Sequence, residues 1–165
     1  MAGSTVGREI ERKFLVKSMS WKNDAAGVTY RQGYLSLDPD RAVRVRIAGN
    51  QAWLTIKSRI SERQRREFEY AIPISDAEEM LREMALGLPV VKTRYIVNYG
   101  NHTFEIDCFE EENRGLVVAE VELSAEDEAV MLPPWLGTEV TDDPKYLNIN
   151  LSQTPFSRWN EKKPE

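Results

Sequence analysis

The chain has 165 residues, 41% hydrophobic and 30% charged, which suits a single domain with a real core and excludes a disordered chain. A formal net charge of −5 excludes general affinity for duplex nucleic acid or an anionic membrane, so an anionic ligand must meet a local cluster of Lys and Arg. The lone cysteine, Cys108, excludes an internal disulfide, and the lone histidine, His102, disfavours zinc, leaving carboxylates to hold any metal.

Read in chain order, period-two alternation predicts eight strands, near 6–16, 28–37, 42–48, 52–58, 66–74, 92–99, 102–109 and 116–123. Turn residues at Asp38-Pro39-Asp40, Ala48-Gly49-Asn50 and Gly100-Asn101 separate several of them. Three segments read as helical. The first, Ser75 to Leu86, opens on a capping-box pattern and ends at Gly87. The second, Ser124 to Met131, is stopped by Pro133-Pro134, and the third opens at Asp143-Pro144 and runs to about Ser152. These elements make one domain over 1–165, with a core of about 6–152 and a loosely held tail at 153–165. Met1 to Gly7 lacks the basic and apolar regions of a signal peptide, and no run is long enough to span a bilayer, so the protein reads as cytoplasmic.

Each strand carries one apolar and one charged face, as any half-buried antiparallel sheet does. The charged faces, however, hold same-sign pairs: Glu9 and Glu11 with Lys13, then Arg44/Arg46, Glu67/Glu69, Lys92/Arg94, Glu105/Asp107 and Glu120/Glu122. Residues two apart on a strand lie ~7 Å apart. Like charges at that distance repel by roughly 0.6 kcal/mol even at the dielectric constant of water. Acidic strands beside basic ones offset part of that cost, and cations and an anion would offset the rest.

Eight strands suffice to close a barrel that holds one small ligand. The expected fold is therefore α+β: an eight-stranded antiparallel β-barrel, or tunnel, with a charged interior and a few flanking helices. Its apolar faces point outward and need cover, from the helices or from a second subunit in a homodimer. Carboxylate pairs suit Mg2+ or Mn2+. Arg44, Arg46, Lys57, Lys92 and Arg94 suit phosphate oxygens. No glycine-rich phosphate loop is present, so side chains and metal would do the binding. Phosphoryl transfer to water needs positioning and charge neutralisation and no protein nucleophile.

The motifs Glu9-Ile10-Glu11-Arg12-Lys13, Arg31-Gln32-Gly33-Tyr34-Leu35, Val43-Arg44-Val45-Arg46, Leu54-Thr55-Ile56-Lys57, Glu67-Phe68-Glu69, Lys92-Thr93-Arg94-Tyr95, Glu105-Ile106-Asp107, Glu120-Val121-Glu122 and Tyr146-Leu147-Asn148 follow one another to about residue 152. In that order they resemble the CYTH, or triphosphate tunnel metalloenzyme, superfamily, and within it the short bacterial branch that prefers inorganic tripolyphosphate. The resemblance implies an antiparallel tunnel and metal-dependent hydrolysis of a linear triphosphate, with Mg2+ or Mn2+ as cofactor. It implies that Glu9, Glu11, Glu120 and Glu122, with Asp107, hold the metal. Lys13, Arg44, Arg46, Lys57, Lys92 and Arg94 would grip the phosphates, and Lys13 and Tyr34 would form a catalytic pair. Glu67 and Glu69 are open to two roles, a second metal site or salt bridges to the basic residues. At Leu147 the chain departs from a polar or basic position, which argues against a phosphate contact from this last segment.

Alternatives are a hydrolase or cyclase acting on an organic triphosphate, such as thiamine triphosphate or ATP, and a non-catalytic polyphosphate or nucleotide binder. Trp53, Trp135 and Trp159 fall on unrelated elements and read as scattered aromatics. His102 reads as a solvated turn residue, the Arg63/Arg65/Arg66 cluster as a basic loop, and Cys108 as inert on an apolar face.

Overall fold

The computed structural model describes residues 3–7, 10–22, 26–59 and 65–159. Ten strands run in chain order: β1 (Gly3–Gly7), β2 (Ile10–Val16), β3 (Val28–Ser36), β4 (Ala42–Ala48), β5 (Gln51–Arg59), β6 (Arg65–Ile72), β7 (Leu86–Tyr99), β8 (His102–Phe109), β9 (Val117–Leu123) and β10 (Leu136–Glu139). Helix α1 (Ile74–Glu83) follows β6, and the short α2 (Asn148–Leu151) follows β10. All strands join one antiparallel sheet in the order β1-β6-β5-β4-β3-β7-β8-β9-β2-β10. The eight expected strands are all present. Two short edge strands, β1 and β10, extend the sheet, and no pairing joins them to each other among the described residues. The β4–β5 and β7–β8 hairpins each turn on two residues, with Gly49 and Gly100 at φ +61° in the first place, a conformation that suits glycine and matches the strand twist.

Four expectations need correction. The helix expected from Asp143-Pro144 to Ser152 breaks at Leu147, whose backbone is extended at ψ 137°, into a 3-10 turn over Pro144–Tyr146 and the short α2. Ser124 to Met131 forms turns and no helix; the Glu128 side chain folds back onto Ser124 N and Oγ, and so few residues before two prolines cannot offset helix nucleation. Helix α1 stops at Glu83 with Met84 as its C-cap, because Gly87 spends its positive φ of +73° inside β7, beside a register shift against β3. The strand therefore starts at Leu86 and runs through Pro89, six residues before the alternation becomes visible. Finally, the tail packs as far as Trp159, whose ring sits edge-on to Tyr146 and Phe156.

The sheet curls so that its charged faces look inward. Outside, α1 lays Ala77 and Leu81 on Val45, Ile47 and Ala52, and Trp21 and Trp135 close over Phe14, Phe104, Ile106 and Val121. Gly33 makes the α1 contact close: a Cβ there would stand 2.9 Å from Leu81 Cδ2. Inside, the parity that carries Lys13, Lys92 and Glu120 continues to Leu15, Val90 and Val118. These pack with Phe109, Val140, Tyr146 and Leu151 into an apolar plug that fills one end of the bore. Most of the apolar surface is thus covered within one chain, at about 25 cal/mol for each Å² removed from water. No helix among the described residues is long and apolar enough to cross a membrane.

Candidate active site

A cavity of about 690 Å³ runs through the curl of the sheet. Strand alternation delivers its walls: Glu11 and Lys13 from β2, Gln32 and Tyr34 from β3, Arg44 and Arg46 from β4, Thr55 and Lys57 from β5, Glu67 and Glu69 from β6, Lys92 and Arg94 from β7, Glu105 from β8, and Glu120 and Glu122 from β9. With Arg59, seven cationic and six carboxylate side chains face this space. Leu147, Asn148, Ile149, Asn150 and Gln153 close over it from the C-terminal segment. All eight expected strands therefore contribute, and the bore is the charged tunnel that the alternation predicts.

The cations crowd one wall. Burial and the neighbouring charges of Arg44 and Arg94 push the Arg46 guanidinium down to about 10. Gln32 Oε1 accepts from Arg46 Nε at 2.9 Å, and Arg46 and Arg94 lie over the Tyr30 ring with guanidinium carbons 5.0 and 4.8 Å from its centre. Arg44 reaches Thr55 Oγ1 at 3.3 Å and Glu69 at 3.8 Å, yet its Nε is buried with no acceptor among the described residues. A buried guanidinium N–H without an acceptor is costly, and an anionic guest would satisfy it. Burial also lowers Lys92, to about 8, against the pull of Asp107. Tyr34 is 7% exposed, and burial raises its pKa despite Arg44 and Arg46, so it stays a neutral phenol.

Four of the six carboxylates gather on the neighbouring strands β8, β9 and β2. Glu11 faces Glu122 across the β2/β9 ladder, and Glu120 lies between Lys13 on β2 and Glu105 on β8. Lys13 Nζ sits 3.2 Å from Glu120. Glu11, Glu105, Glu120 and Glu122 also line an adjoining space of about 580 Å³ that opens toward His102 and Glu128. Glu105 also meets Arg94 at 3.3 Å, and hard oxygen donors of this kind suit a divalent cation by their chemistry. Among the described residues, no three acidic side chains converge on one point as ligands would. Glu9, placed with this group by the motif, lies outside the described residues.

Other expected residues take different places. Asp107, expected among the metal ligands, does not line the cavity; it is 3% exposed behind the cationic wall. Its Oδ1 accepts from Arg94 Nε at 2.7 Å, and its Oδ2 accepts from Arg94 at 2.9 Å and Lys92 at 2.8 Å. Burial alone would raise this carboxyl, but Lys92 and Arg94 hold it well below the usual range and it raises Arg94 in return. Glu105, two residues earlier on the same face, is the β8 carboxylate at the cavity surface. Glu67 lies 3.6 Å from Lys57, and Glu69 accepts from Thr55 at 3.0 Å. Both occupy the basic side, in salt-bridge positions.

His102 is no solvated turn residue: its ring is 12% exposed and meets Glu128 at 2.6 Å. Two hydrogen bonds from Ser124, then that from His102, hold the Glu128 carboxyl low. None of Trp53, Trp135 and Trp159 lines the cavity. Arg63 lies outside the described residues, and burial pushes the Cys108 thiol up, in keeping with an inert cysteine. A charge-based reading assigns no role to Gln32 and Asn148, neutral residues that hold Arg46 and Lys92; the signal was their place in the motifs Arg31-Gln32-Gly33-Tyr34 and Tyr146-Leu147-Asn148.

A curled antiparallel sheet that encloses a cluster of cations beside a cluster of carboxylates defines a tunnel protein for a small, highly charged anion. The chain belongs to the CYTH domain family, whose pattern matches residues 7–154. It is 42% identical over 156 residues to an inorganic triphosphatase of Acetivibrio thermocellus, covering 94% of this chain and 100% of that one. It is 38% identical over 148 residues to an inorganic triphosphatase of Nitrosomonas europaea, covering 87% and 96%. The crystal structure of the inorganic triphosphatase NE1496 superposes with a TM-score of 0.68 at 36% identity, over 87% of this chain and 93% of that one. A putative adenylate cyclase of Bacillus halodurans shares the fold, with a TM-score of 0.56 at 16% identity over 73% of this chain and 83% of that one.

Proposed function

We propose that the protein is a metal-dependent inorganic triphosphatase that hydrolyses tripolyphosphate to pyrophosphate and phosphate within the bore. The observation that carries this reading is the buried cationic wall: Arg44, Arg46 and Arg94 repel one another, and Arg44 Nε waits for an acceptor. A linear polyanion is the guest that relieves both. Arg44, Arg46, Lys57, Lys92 and Arg94 grip its phosphates, the arginines as forks and the lysines as point charges.

Glu11, Glu120 and Glu122, with Glu9, are the residues that would hold Mg2+ or Mn2+. A divalent cation there supplies charge neutralisation for the phosphate oxygens and lowers the pKa of water. Lys13, bridging to Glu120 at 3.2 Å, brings a cation among the carboxylates, suited to the terminal phosphate. Tyr34 stays protonated and donates its hydroxyl hydrogen to a phosphate oxygen, while Gln32 Nε2 donates to its oxygen at 3.5 Å. Lys13 and Tyr34 thus form the pair that orients the reacting group. Glu67 and Glu69 orient Lys57 and Arg44 and need no second metal. Lacking any disulfide, the protein suits the cytoplasm.

The test is phosphate release from tripolyphosphate, ATP and thiamine triphosphate, each with Mg2+, Mn2+ or a chelator. Preference for tripolyphosphate with metal, and none without, supports the proposal. Equal rates on ATP, or pyrophosphate with a cyclic nucleotide from ATP, would sink it.

A further inference from the structure

Lys92 is 1% exposed, and its ammonium needs acceptors because it can only donate. Asp107 Oδ2 supplies one at 2.8 Å, and Asn148 Oδ1 supplies another at 2.9 Å. The lysine dictates which way round the Asn148 amide sits, since only the carbonyl oxygen can face an ammonium. The Nδ2 end is therefore turned away from Lys92. Asn148 also lines the cavity, and no acceptor among the described residues takes its Nδ2 hydrogens. Its flanking residues, Leu147 and Ile149, have apolar side chains with no donor for a phosphate.

We infer that Asn148 is a substrate-positioning residue: its carbonyl oxygen fixes the Lys92 ammonium and its amide N–H groups donate to a phosphate oxygen. The C-terminal segment thereby contributes a neutral donor to a site otherwise built from charges. That segment is anchored where this matters, because Leu88 N donates to Ser152 O at 2.8 Å and ties it to the start of β7, the strand that carries Lys92. The inference rests on the triphosphatase reading for the identity of the anion.

The test compares the full-length protein with Asn148→Ala and Asn148→Asp on tripolyphosphate and Mg2+. The alanine variant loses both contacts, and its KM should rise about tenfold with kcat changed less than about threefold. The aspartate variant keeps an acceptor for Lys92 but replaces the donor with a negative oxygen, so its KM should rise further than that of alanine. Thermal unfolding of each variant is followed alongside, and Asn148→Ser, too short to reach Lys92, takes the place of any alanine variant that does not fold. An unchanged KM in the alanine variant overturns the inference, as does an aspartate variant that binds like wild type. Failure of the wild-type protein to turn over tripolyphosphate would count against the function instead. The Asn148 claim would then be read by calorimetric titration of tripolyphosphate, where affinity must fall from wild type to alanine to aspartate.

Discussion

Glu11 and Glu122 face each other directly across the β2/β9 ladder, a like-charge pair where neighbouring strands bring side chains closest. A fold that needed these positions only for packing would not place two carboxylates there. Replacing Glu122 by Gln removes one charge and one hard ligand. We expect the metal-free variant to melt no lower than wild type while tripolyphosphate turnover falls at least ~100-fold. Paired thermal and phosphate-release assays check this; a large loss of stability would mean the pair is structural.

Asp107 is predicted to behave in the opposite way. Asp107→Asn leaves Lys92 buried beside Arg94 without its anionic partner, at a cost of about 3 kcal/mol, or ~10 °C in melting temperature. The carboxyl lies below its ordinary pKa in the folded protein, so its contribution is present above the usual Asp range and lost as pH falls below it. The metal concentration that gives half-maximal activity should not move. A shift in that value would return Asp107 to the metal ligands.

Lys92 makes stability and binding respond to pH in opposite directions. Its folded pKa of about 8 lies below the ordinary 10.5, so between these values the unfolded chain binds more protons and this group favours folding increasingly as pH rises. Phosphate binding needs the ammonium, so tripolyphosphate affinity should fall as pH rises through about 8. Lys92→Met should weaken binding and abolish that alkaline fall in kcat/KM. A pH profile of both proteins checks it.

Gly87 links the fold to the site. At φ +73°, with Ser152 O only 2.4 Å from where a Cβ would be, Gly87→Ala is both strained and obstructed by backbone. We expect at least ~1 kcal/mol of destabilisation and a higher KM, because the displaced segment carries Asn148. Denaturant unfolding and steady-state kinetics read the two effects separately.

Much of this was legible in the sequence because each strand carries a charged and an apolar face, and parity alone sorts residues such as Arg44, Arg46, Lys92 and Glu122 inward. Depth along the bore was not legible. Glu105 and Asp107 share one face of β8, yet strand stagger leaves Glu105 at the cavity and Asp107 behind Lys92 and Arg94. Gln32 and Asn148 fall within the motifs but received no role because they carry no charge, and Asn148 meets Lys92 from a segment 56 residues beyond it. His102 misled through its neighbours: Gly100-Asn101 do form a turn, but Glu128, 26 residues on, folds back over the ring. The edge strands β1 and β10, with five and four residues, are too short to alternate visibly.

The most direct test is phosphorus NMR of tripolyphosphate incubated with the purified protein and Mg2+ or Mn2+. The tripolyphosphate signals should give way to equimolar pyrophosphate and orthophosphate, with no change when metal is chelated or when Arg46 is replaced by Ala. Tripolyphosphate that persists with either metal, or turns over undiminished after Arg46→Ala, would contradict the proposed function.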